Sequence, residues 1–278
     1  MAAEGRRVSV HPDSTHERSY TGEDPDSHRD SRTVTHTLII IPAYNEEDAL
    51  PIVLASIRKH APEFDVLVVD DGSVDDTARV GRSAGARVVS LPYNMGVGGA
   101  LRVGFRFARR NAYDRVVQLD ADGQHDPANL DVLLAAIDDG ADLAIGSRFL
   151  AKDGHYEVDR TRGSAMAILR IVLGALMGRD IYDTTSGFRA FSGPMVEEFS
   201  TNYPREFLSD TVEALLIASY AGYRVVEVPT TMSKRVAGEP SHRSLRLAFH
   251  YLRVLAVIGM TASFKGRRHA RIAKQVRA

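Results

Sequence analysis

Short runs of unbroken apolar residues, each separated from the next by a helix-length spacer, constrain this chain more than any other feature. The runs are Leu38-Ile39-Ile40-Ile41, Val66-Leu67-Val68-Val69, Val88-Val89, Val116-Val117 and Leu143-Ala144-Ile145. A strand wet on one face alternates apolar with polar residues. Strands that stay apolar at successive positions are covered on both faces, as parallel sheets are. The spacers carry helix signals. Asn45 with Glu46, Glu47 and Asp48 reads as the cap and acidic first turn of a helix reaching about residue 60, a second helix starts near Asp75, a third spans about 97–111, and a fourth opens at Pro127. Strands and helices alternating at this spacing predict an α/β fold with a mostly parallel central sheet, right-handed crossovers and helices on both faces. Past residue 150 the alternation weakens. Residues 164–177 read as an apolar helix, Ser209 as the cap of a helix beginning at Asp210, and Val225 to Val228 as a late strand.

At 278 residues and 44% hydrophobic, the chain is long enough for one sizeable core. Residues 1–35 are rich in Ser, Asp, His, Arg and Thr without periodicity, and read as a disordered leader. A folded domain is expected over 36–243, followed over 244–278 by an amphipathic helix and a basic tail. In that helix Arg246, His250 and Arg253 share one face, and Lys265, Arg267, Arg268, Arg271, Lys274 and Arg277 follow. Such a segment suits the surface of an anionic membrane, or packs on the core or on a partner. The net charge of −1 gives no global basic field, so nucleic acid is not an expected partner and any anionic ligand must meet local Arg and Lys. The absence of cysteine excludes disulfides, thiolate metal sites and cysteine nucleophiles. With no signal-peptide core and no apolar run of about 18 residues, the chain is expected in the cytoplasm, peripheral at the inner membrane face where it meets lipid.

In sheets of this kind ligands sit beyond the carboxyl ends of the strands. There the polar residues gather: Pro42-Ala43-Tyr44-Asn45-Glu46, Asp70-Asp71-Gly72-Ser73, Asp120-Ala121-Asp122 and Gly146-Ser147-Arg148. One polar turn is ordinary loop chemistry, whereas four on one edge describe a cleft. Two aspartates one residue apart at a fraying strand end can converge on a cation, with Gln124 or His125 as a further ligand, although aspartate and glycine also make plain solvated turns. Oxygen donors of this type suit Mg²⁺ or Mn²⁺. Acids for base, ribose and metal, beside an arginine for phosphate, point to a nucleotide diphosphate. Gly96-Val97-Gly98-Gly99 follows a strand and opens a helix, but Leu101 stands where a dinucleotide fingerprint needs its third glycine. These glycines read instead as a left-handed turn or a close backbone approach.

These exits, together with Val69-Asp70-Asp71-Gly72-Ser73-Val74-Asp75-Asp76-Thr77, Asn94-Met95-Gly96-Val97-Gly98-Gly99-Ala100, Asp120 to His125 and Thr185-Ser186-Gly187-Phe188-Arg189, resemble the motif series of family 2 glycosyltransferases. Within that family the dolichyl- and polyprenyl-phosphate sugar synthases are the subgroup resembled, over about residues 36–245. The resemblance implies a GT-A fold, a UDP- or GDP-sugar donor, Mg²⁺ or Mn²⁺, and transfer with inversion to an acceptor. Polyprenyl phosphate is the first acceptor expected, and a soluble hydroxyl is the runner-up. A non-catalytic nucleotide-sugar-binding module is the alternative class, against which the intact pair Asp120 and Asp122 argues.

By the same resemblance Pro42, Tyr44, Glu46, Asp71 and Gly98 surround the donor nucleotide, Arg148 meets phosphate, and Asp120, Asp122 and Gln124 hold the metal. Arg160 and Ser164 match positions that hold the acceptor phosphate. Asp210 ranks first and Glu213 second as the acid facing the acceptor, although both also suit the start of a helix. Residues 232–241 resemble a mobile Arg-x-x-Gly-x-Ser segment that closes over the diphosphate with Arg235. Here Glu239 and Pro240 intervene between glycine and serine, one residue more than the pattern has.

Overall fold

The computed structural model describes residues 35–150, 170–171, 173–175, 177–204 and 210–233, all within the unit Thr35–Ala278. The six predicted strands form, together with a seventh. They are β1 (Thr37–Ala43), β2 (Asp65–Asp70), β3 (Arg87–Ser90), β4 (Arg115–Gln118), β5 (Leu143–Ser147), β6 (Arg189–Phe191) and β7 (Val225–Pro229). Between them lie α1 (Leu50–His60), α2 (Thr77–Ser83), α3 (Val97–Arg110), α4 (Leu130–Asp138), α5 (Gly193–Asn202) and α6 (Asp210–Tyr220). One seven-stranded sheet has the order β3-β2-β1-β4-β6-β5-β7. β1 pairs in parallel with β2 and β4, β2 with β3, and β5 with β7, while β6 runs antiparallel to both β4 and β5. Reversing one strand leaves the carboxyl ends of all the others on a single edge.

The unbroken apolar runs do what their pattern requires. In β1, Leu38 and Ile40 join one core cluster with α3, α5 and α6, while Ile39 and Ile41 join the other with α1 and α4. All four are fully buried, each contributing about 1.5–3 kcal/mol. On the first face Phe105 of α3 meets Phe191 of β6 edge-on at 5.0 Å and Phe199 of α5 at 5.5 Å. Helix on sheet on helix, the core sits in the middle of the chain's apolar series.

The start of α1 differs from the sequence expectation. α1 begins at Leu50, with Pro51 in its first turn, and Asn45 is left-handed with φ 55° instead of capping. The acids Glu46, Glu47 and Asp48 therefore precede the helix. The antiparallel β6 was not expected at all: three residues, one of them Arg189, carry no strand pattern.

Candidate active site

The exits of β1 and β2 are sewn together by their own polar side chains. The Asn45 N–H donates to Ser73 Oγ at 3.0 Å, and Asn45 Oδ1 accepts from the Val74 N–H at 3.0 Å. The Glu46 N–H donates to Thr77 Oγ1 at 2.8 Å, and Glu47 Oε2 accepts from the Asp76 N–H at 2.8 Å. The residues expected to cap α1 bond instead across to the second loop, because that loop leaves N–H groups and hydroxyls within reach. Asp71 lies under this seam. It is 4% exposed, accepts the Met95 N–H at 2.7 Å, and donates its own N–H to Ala43 O at 2.8 Å. Burial pushes its carboxyl pKa up, bonds from the Met95 and Gly96 N–H groups pull it back, and the Asp70 charge raises it further. Tyr44 stands exposed beside it at the end of β1, and Pro42 and Glu46 are half-buried. Gly96, at φ 80°, makes the left-handed turn into α3, whose first turn buries Gly98.

β4 delivers the second group. The Leu119 N–H donates to Ile40 O at 3.0 Å, so β1 still holds the chain as it leaves the strand. Asp122, 8% exposed, accepts the Gln124 N–H on Oδ1 at 2.9 Å, closing the turn. Asp120 is more open, with its side chain 36% exposed and its Oδ2 3.7 Å from Nε2 of the buried His125. The His125 ring stacks on Phe188 at 5.2 Å, and its backbone bridges to Met232 beyond β7. Gln124, half-buried, is fixed by its carbonyl, which accepts the Ser233 N–H at 2.8 Å. Two carboxylates and a carboxamide make a hard oxygen donor set of the kind Mg²⁺ and Mn²⁺ prefer. Among the described residues no group of three or more His, Cys, Asp or Glu gathers around one point.

Arg148 is placed at the end of β5, on the predicted edge, but its fork faces Asp183. Nε donates to Oδ2 at 2.7 Å and Nη2 to Oδ1 at 2.6 Å, with a further bond from Nη2 to Thr185 Oγ1 at 2.8 Å. Asp183 is fully buried, and Glu227 of β7 accepts the N–H groups of Tyr182 and Asp183 at 2.8 and 2.6 Å. Arg189, also fully buried, donates to the carbonyls of Ser186 at 2.8 Å, Thr211 at 3.1 Å and Thr184 at 3.2 Å. Asp183, Glu227 and the positioning part of Arg189 escaped the sequence reading, since their partners are distant in the chain. Thr211 places the start of α6 against this loop. Asp210 opens α6, and Glu213 lies one turn along, half-buried. Arg160, Ser164, Arg235, the leader and the C-terminal helix and tail lie outside the described residues. No described helix is long and apolar enough to cross a membrane.

A largely parallel sheet with one reversed strand, and paired aspartates on its carboxyl edge, is the framework of a GT-A transferase. Comparison bears out that fold: a crystal structure of glucosyl-3-phosphoglycerate synthase from Mycobacterium tuberculosis with Mn²⁺, UDP and phosphoglyceric acid superposes with a TM-score of 0.62 at 21% identity, covering 80% of this chain and 77% of that one. The chain belongs to glycosyl transferase family 2, whose model matches residues 38–200. Among its relatives are the polyprenol monophosphomannose synthase of Mycolicibacterium smegmatis, 33% identical over 224 residues (78% of this chain, 83% of that), and the undecaprenyl-phosphate mannosyltransferase of Micrococcus luteus, 34% identical over 208 residues (73% and 85%).

Proposed function

We propose that this glycosyltransferase takes a sugar from a UDP- or GDP-sugar and passes it, with inversion, to polyprenyl phosphate, with Mg²⁺ or Mn²⁺ at Asp120, Asp122 and Gln124. The observation that carries the reading is the turn at the end of β4, where Asp120 and Asp122 leave the sheet beside the stitched β1 and β2 loops. The names of the mannosyl-transferring relatives support a lipid-phosphate acceptor. In the bond exchange an acceptor phosphate oxygen attacks the anomeric carbon, the bond from that carbon to the donor diphosphate breaks, and the nucleoside diphosphate leaves. A bound cation would offset the charge growing on that leaving group.

The chain's own residues supply placement. Asp71, Pro42, Tyr44, Glu46 and Gly98 form the base and ribose side, with Asp71 oriented by the Met95 N–H. Arg148, braced by Asp183, shapes the far wall and retains a phosphate role only if its fork turns from that carboxylate. On the acceptor side we assign Arg160 and Ser164 to the lipid phosphate, and Asp210, then Glu213, to the acid facing it. Arg235 is assigned to closure over the diphosphate, and the basic tail to anionic lipid at the cytoplasmic face. A phosphate acceptor is already an anion near neutral pH, so it asks less of a base than a hydroxyl does.

The test is calorimetric. Nucleoside diphosphate, UDP and GDP in parallel, is titrated into the full chain with and without Mn²⁺. Wild type is expected to bind about tenfold or more tightly with the metal, and Asp122→Asn to lose that gain while its circular dichroism is unchanged. Equal metal dependence in both proteins would remove Asp122 from the site.

A further inference from the structure

Gly187 sits against the Asp120 corner from the neighbouring strand, since the antiparallel register that pairs Arg189 of β6 with Gln118 of β4 carries Gly187 alongside Asp120. A Cβ built on it would lie 2.5 Å from Asp120 Oδ1 and 2.7 Å from Cγ, with Oδ2 closer still. No real Cβ tolerates those distances. Gly187 is not among the residues with positive φ, so backbone conformation does not demand glycine there, and the three nearest atoms a side chain would meet all belong to the Asp120 carboxylate. The backbone carrying it has little room to retreat. The Gly146 N–H donates to Phe188 O at 2.8 Å, the Phe188 N–H donates to Ser186 Oγ at 3.2 Å, and Arg189 grips the carbonyls on either side of Thr185. Phe188, fully buried, is wedged under the His125 ring. The movable partner is therefore Asp120.

We propose that Gly187 is a positioning residue of the cation site: its missing side chain is the space in which the Asp120 carboxylate rests, and Arg189 holds that space in place. The inference rests on the metal reading above. Alanine at 187 turns the Asp120 carboxylate away and disables the cation site without touching the nucleotide side at Asp71.

Full-length Gly187→Ala is titrated with Mn²⁺ in the presence of UDP, and of GDP in parallel, following free Mn²⁺ by electron paramagnetic resonance. Metal affinity is expected to fall about tenfold or more, with metal-free nucleotide affinity within about twofold of wild type. The same substitution made on Asp120→Ala should then cause no further loss, because coupled residues give non-additive effects. Wild-type Mn²⁺ affinity in Gly187→Ala, beside a deficient Asp122→Asn, overturns the inference and leaves the metal reading standing. No Mn²⁺ binding by the wild type overturns both. If Gly187→Ala does not fold, the double variant decides: folding restored by Asp120→Ala supports the contact, and no restoration overturns it.

Discussion

Asp71 carries a carboxyl group into a buried position. Its pKa is raised above the ordinary 3.8 because burial disfavours the charged form. For a carboxylate raised in the folded state, the native protein bears the full cost above the folded pKa and none below the unfolded value, so stability contributed by protonation is lost as pH rises through that window. Asp71→Asn keeps an oxygen for the Met95 N–H and removes the charge. It is expected to melt higher than wild type near pH ~7, to match it near pH ~4, and to lose about tenfold or more in nucleotide affinity. Thermal melts across that range with parallel titrations check this; a lower melting point with undiminished nucleotide binding contradicts it. Asp71 follows directly on β2, and Asp120 and Asp122 lie just past the end of β4, which is why a search of strand ends singles them out. The direction of Arg148 was not legible in the sequence, since Asp183 lies thirty-five positions along the chain.

At the scale of elements the apolar runs located five of the seven strands and the late run a sixth, all parallel. β6 stayed hidden because it is three residues long and puts a buried arginine in mid-sheet, where only tertiary bonds make it tolerable. The loop preceding β6 is built by charge pairing. Removing one member of a buried, doubly bonded pair leaves the other uncompensated, at a cost of about 3–5 kcal/mol. Arg148→Ala should accordingly lower the urea midpoint by that equivalent, and adding Asp183→Asn should recover part of it. An unchanged midpoint with lost donor binding would make Arg148 a phosphate ligand first and a brace second. The start of α1 taught a similar lesson: Asn45 and Glu47 look like capping residues, yet the N–H groups of the 73–77 loop claim them.

For the whole molecule, the fold collects the acids that follow β1, β2 and β4 onto one edge, and β6 brings the 183–188 loop and the start of α6 to the same place. That convergence is why a linear order of short motifs was readable as one cleft, while the acceptor roles expected of Arg160 and Ser164, which lie outside the described residues, rested only on family resemblance. The central claim is transfer to a lipid phosphate. Its most direct measurement incubates the full chain with Mn²⁺, UDP- or GDP-sugars, and either a polyprenyl phosphate or a small hydroxyl acceptor, and weighs the products by mass spectrometry. The account predicts one sugar added to the lipid phosphate, with Asp210→Asn within about tenfold of wild type and Arg160→Ala losing more, since a charged hydrogen bond contributes about 1.5–3 kcal/mol. Sugar found only on the hydroxyl acceptor, with Asp210→Asn the more damaged variant, would contradict it.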